Sequence, residues 1–220
     1  MKFDWASNWP VFATAIGETL WIVAIALGVG GLLGLVMGLL LYSTRPGGVL
    51  KNRGFFTALN LLVNFVRPIP FIIFLTAVQP LTRAITGTTI GNEAFVVPAA
   101  TMCAFGTARI VEQNLVALDP GIVEAARSMG ASPLTILRTV VIPEALGPLI
   151  LGYAFIFVAV VDMSALAGTI GGGGLGNFAL VYGYQRFDPV ATWITVVVIV
   201  IFVQVVQFFA IWLARKVMRR

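Results

Sequence analysis

The chain has no histidine, a single cysteine, and charge on only 10% of its 220 residues. Each shortage excludes something. Without histidine, the usual general base and the commonest metal ligand are missing. With Cys103 alone, no disulfide can form within one chain. Soluble domains carry roughly 25% charged residues, so so little charge alongside 59% hydrophobic residues reads as a chain that lives in lipid. The length then suits one integral-membrane domain over residues 1–220, with no soluble appendage. The opening "MKFDWASNWP" lacks the basic start of a cleaved signal peptide, so it is expected to be retained. The net charge of +5 comes from basic residues scattered at the ends of apolar runs. That pattern indicates topology and membrane lipid, not a nucleic-acid surface.

What is present is a set of long apolar runs. A helix needs about 20 mainly apolar residues to cross a bilayer. Five segments qualify, at roughly 18–42, 58–78, 94–116, 146–168 and 190–214. The second carries Asn60, Asn64, Arg67, Pro68 and Pro70, so its first half must face protein or water. With the N-terminus outside, the inner side holds Arg45, Lys51, Arg53, Arg109, Arg127, Arg138, Arg215, Lys216, Arg219 and Arg220. The outer side holds only Lys2, Arg83 and Arg186. This bias predicts an external N-terminus, an internal C-terminus and a cytoplasmic loop between the third and fourth spans. In the first span Gly30, Gly34 and Gly38 recur every fourth residue. Such a stripe lets another helix approach closely, either within the protomer or at a subunit interface.

The cytoplasmic loop, about 117–145, breaks the apolar rhythm with "EAARSMGASPLTILRTVVIPEA". Asp119-Pro120 reads as an N-cap and first helical residue. A short helix can run to Met129, and Gly130 stops it. Ser132-Pro133 restarts a second helix, which Pro143 is expected to end. Neither helix is long enough to be stable alone in water, so both must dock. Ile122, Ala125, Ala126 and Met129 form an apolar strip, and Glu124 and Arg127 are spaced to pair. The residues alone leave open whether the loop lies on the membrane, lies under its own bundle, or docks another protein.

The order of "EAA", three residues, Gly130, nine residues, Val140, one residue and "IP" resembles the EAA motif of ABC importer permeases. The resemblance implies that the first short helix is a coupling helix seated in a cleft of a cytoplasmic ATPase. Glu124, Ala125, Ala126, Arg127, Met129, Gly130 and Ala131 would then form the coupling element. "SALAGTIGGGGLGNFALVYGYQRF", "RPIPF" at Arg67 and the five-span layout resemble the methionine-type permeases, although the glycine-rich piece is shared with osmoprotectant permeases. Membership would imply a homodimer, two copies of an ATP-binding subunit and an extracytoplasmic solute-binding protein, in a bacterial inner membrane. ATP and magnesium would sit on the partner, leaving this chain without a cofactor or metal and without catalysis of its own. The rivals are a permease for an osmoprotectant or other small solute, a secondary carrier, and a membrane scaffold.

"GGGGLG", Gly171 to Gly176, formally satisfies G-x-G-x-x-G. A dinucleotide site needs a strand before it, and here an apolar span precedes it. The glycines therefore read as a flexible or tightly packed turn at the outer mouth. Asp162 is an ionisable group inside a span, which marks a functional candidate. It departs from the family pattern, where an uncharged or small polar residue is expected. With Met163 and Ser164 it forms the candidate substrate path; pairing with Arg186 or exposure to water are the alternatives. Arg109 and Glu112 are expected to form a structural ion pair.

Overall fold

A computed structural model describes residues 4–218, and every regular element among them is helical. Helix α1 (Trp5–Ile25) runs through a π turn (Ala26–Gly30) into α2 (Gly31–Thr44). Together they form a single rod, more than ten residues longer at its start than the expected span. Helices α3 (Arg53–Val66), α4 (Phe71–Ala77) and α5 (Gln79–Thr86) follow, then α6 (Asn92–Val116). Next come α7 (Pro120–Ser128), α8 (Pro133–Ile136), a second π turn (Leu137–Val141) and α9 (Ile142–Ser164). A 3₁₀ turn (Ala167–Ile170), α10 (Leu175–Phe178), a third π segment (Ala179–Gln185) and α11 (Pro189–Met218) complete the chain. Of the basic residues that set the expected orientation, Lys2, Arg219 and Arg220 lie outside the described residues.

Four helical rods are long and apolar enough to cross a bilayer, and the pair α3–α4 makes a fifth if it counts as one span. That pair is not the straight helix expected over 58–78. It bends by 112° between Val66 and Phe71. Pro68 and Pro70 cause this, since neither can donate an N–H and each ring crowds the preceding turn.

The glycine stripe resolves to packing within the protomer. A Cβ on Gly30 would lie 2.3 Å from the Ala100 carbonyl oxygen; one on Gly34 would lie 2.5 Å from Thr107 Cβ, and one on Gly38 2.6 Å from Val111 Cβ. The α1–α2 rod therefore lies against α6 with backbones nearly touching, as small residues at four-residue spacing permit. Gly152 opens α9 to Ile110 of α6 in the same way.

Pro143 does not end the second loop helix. One continuous helix runs from Pro133 to Ser164, so the loop's second half and the fourth span are a single rod. The π turn at Leu137–Val141 lies just before the proline and relaxes the backbone where the ring would otherwise clash. At the opposite end Phe12 meets Phe178 edge to face and Tyr182 lies tilted against Phe178, with centroids 4.9 Å and 4.7 Å apart. Asp188 caps α11 by accepting hydrogen bonds from the Val190 and Ala191 amides at 3.0 and 3.4 Å.

Candidate functional site

The loop between α6 and α8 is built as its capping residues require. The Asp119 carboxylate accepts from Gly121 N–H at 2.8 Å, and Pro120 opens α7. Gly130 adopts φ +78, the left-handed conformation that glycine tolerates best. Ala131 N–H then donates to the Ala126 carbonyl at 3.1 Å, closing the helix end. Ser132 accepts from Thr135 N–H at 3.3 Å and starts the next rod.

The coupling candidates divide between two faces. Ala126 is buried in a cluster with Leu115 of α6, Ile136 and Val141, and Val123 and Ala131 pack against it. Glu124, Ala125, Arg127 and Gly130 are exposed, and Met129 is 81% exposed. The apolar strip is therefore not one surface: Ala126 faces its own bundle while Ala125 and Met129 face out. Glu124 and Arg127 do not pair. Arg127 instead donates to the Gly47 carbonyl at 3.4 Å, which ties α7 to the turn after α2.

The glycine-rich segment is gripped, not loose. Gly173 N–H donates to Asn92 Oδ1 at 2.8 Å, Gly174 N–H to Glu18 Oε2 at 2.7 Å, and Leu175 N–H to Thr19 Oγ1 at 2.8 Å. A Cβ on Gly173 would lie 1.9 Å from the Glu18 carboxylate, so glycine is required by contact there. Gly171 and Gly174 have φ +73 and +96. Sequence reasoning missed this grip; the signal was Glu18 and Thr19 within an apolar run and Asn92 at the head of another.

Asp162, Met163 and Ser164 do not present a common surface. Asp162 is exposed at the end of α9, and its carboxylate meets no hydrogen-bond donor or cation among the described residues. Met163 packs partly into the core, and Ser164 is buried, its hydroxyl donating to the Val161 carbonyl at 2.6 Å. Arg186 does not reach Asp162; it lies over the Tyr182 ring, 4.5 Å from its centroid. Arg109 and Glu112 do form the expected ion pair. Arg109 also donates to Asn60, at 2.8 Å, and to Asn64. The two asparagines of α3 thus serve the cation of α6.

The fold and this loop define a membrane transport component. A family described as binding-protein-dependent transport system inner membrane component matches residues 30–220, and the chain belongs to it. Within it, this chain is similar to proteins described as D-methionine permeases. A probable D-methionine transport system permease of Vibrio cholerae is 41% identical over the whole of both chains. A counterpart from Haemophilus influenzae is 38% identical over 96% of this chain and all of its own length. An inward-facing structure of the MetNI methionine ABC transporter superposes with a TM-score of 0.92 at 36% identity, covering 98% of this chain and 99% of that one. An amino acid ABC transporter at 21% identity and TM-score 0.79 shares the fold.

Proposed function

We propose that this chain is the permease subunit of an ABC importer for methionine, working as a homodimer with two copies of an ATP-binding subunit and an extracytoplasmic solute-binding protein. It forms one domain over 1–220 in a bacterial inner membrane, crossing it several times with the N-terminus outside and the C-terminus inside. ATP and magnesium belong to the partner, and this chain supplies the path. Glu124, Ala125, Arg127, Met129 and Gly130 meet the ATP-binding subunit, while Ala126 and Ala131 fix α7 to the bundle. Asp162 and Met163 border the path near its outer end, with Ser164 behind them.

The observation that carries this reading is the two-faced α7. Its outer face is free for a partner, and its inner face is locked to α6 and to the rod that becomes the fourth span. A helix merely resting on lipid needs no such anchor. The substrate class rests on the methionine permeases that this chain resembles along its full length. The test is ATP-driven uptake in proteoliposomes that hold the permease and its ATP-binding subunit, with the binding protein and a panel of labelled amino acids outside. Methionine is expected to be taken up ahead of the others. Uptake of a different solute in its place, or uptake without ATP, overturns the proposal.

A further inference from the structure

Arg67 stands at the bend between α3 and α4, and its depth follows from its neighbours. Val63, one turn before it, shares a buried cluster with Ala108 of α6. Phe71, four residues on and across the bend, meets Phe95 edge to face with ring centroids 5.6 Å apart. Arg67 therefore lies between the levels of Phe95 and Ala108, within the apolar length of α6. A fixed charge at that depth is costly in lipid and must face water, a ligand or a counter-charge. Another cation inside the spans, Arg109, is held by Glu112, Asn60 and Asn64. Arg67 is exposed, and its guanidinium has no partner among the described residues.

A second observation points to the same place. The helix is broken there by 112°, and non-helical backbone at membrane depth is tolerated only against protein or a water-filled cavity. Charge and backbone together make this a wet surface. A guanidinium is a planar fork whose paired N–H donors match a carboxylate two at a time. Resting on the amino-acid substrate proposed above, we infer that Arg67 binds the α-carboxylate of the substrate as it crosses the membrane. Asp162, exposed at the end of α9, lies further out: that end leads into the turn whose Ile170 carbonyl accepts from Gly91 N–H, just before α6 begins.

The test uses the assembled transporter in proteoliposomes with its binding protein and radiolabelled methionine. Arg67→Gln is expected to lower uptake at least fivefold while the permease still co-purifies with the ATP-binding subunit in wild-type amount. Arg67→Lys keeps the charge but not the fork, and is expected to retain more uptake than Arg67→Gln. A smaller fall in Arg67→Gln, or equal loss in both variants, overturns the inference. Failure of both variants to co-purify also overturns it, since Arg67 is then a brace. So does restored uptake in the exchange Arg67→Asp with Asp162→Arg, which would show an ion pair between copies. Absence of methionine uptake by the unaltered transporter would instead count against the proposed function.

Discussion

At Gly173 one missing methyl group keeps two spans and a loop together. An alanine there would push its Cβ into the Glu18 carboxylate and displace the acceptor of the Gly174 amide. Gly173→Ala is expected to lower stability by about 1–3 kcal/mol, from crowding and one lost hydrogen bond. Thermal unfolding of the purified permease in detergent measures it, and an unchanged midpoint would mean that the loop can move aside. The paired alanines of α7 give a sharper contrast. Ala126 is 3% exposed and Ala125 is exposed. Ala126→Trp is expected to cost the permease its fold, because the cluster around it has no room. Ala125→Trp should leave a monodisperse, folded permease that no longer co-purifies with the ATP-binding subunit. Equal behaviour of the two variants would contradict the two-faced helix.

At the scale of elements, the α1–α2 rod and α6 are held by fit more than by polarity. Gly34 has the Ala104 carbonyl oxygen and Thr107 Cβ within 2.6 Å of where its Cβ would lie. Gly34→Leu cannot be absorbed by a side-chain shift alone, and separation of the two helices is the expected result. Cysteine pairs placed across the contact would then cross-link poorly, compared with efficient cross-linking in the parent. Much of this level was legible beforehand. The four-residue glycine stripe announced a close helix pair, and Asp119-Pro120 and Ser132-Pro133 announced two helix starts. Pro143 misled, because a packed helix can carry a proline at the cost of one hydrogen bond, and here a π turn just before it takes up the strain. The bend at Pro68 and Pro70 was half visible: the residues disqualified a simple span, but their geometry depends on what α6 offers beside them. The grip of Glu18, Thr19 and Asn92 on the glycine-rich loop joins residues up to 156 positions apart, which no local pattern encodes.

The whole molecule leaves one side unfinished. Helix α11 exposes Trp193, Val197, Ile201, Val205 and Phe208 along most of its length. Apolar surface on that scale needs lipid or protein against it. The basic residues gather at the loop-bearing end, which fits the orientation proposed above. Labelling of single cysteines in a Cys103→Ala background checks it. Position 45, next to the loop-bearing end, is expected to react only after the cells are opened, and position 83 in intact cells. The reverse pattern would invert the topology. The class of protein was open to sequence reasoning because the EAA-like spacing is unusual and mechanical. The candidate path residues were not, because only folding turns a side chain inward or outward: Ser164 and Asp162 are two residues apart, one buried and one exposed.

The unbroken rod from Pro133 to Ser164 gives the molecule a lever. It has 32 residues, about 48 Å at 1.5 Å per residue. One end abuts the Gly130 corner, and the other leads into the loop held by Glu18 and Asn92. Tilting such a rod by about 10° around its middle carries each tip some 4 Å in opposite directions, by simple geometry on that length. A small displacement at the proposed docking face would thus reappear, reversed in sense, at the far end of the rod. The fulcrum falls near Gly147, Pro148 and Gly152, where the rod meets Met218 and Ile110 through its smallest residues. The stiffness of those few turns sets how much of the stroke is delivered.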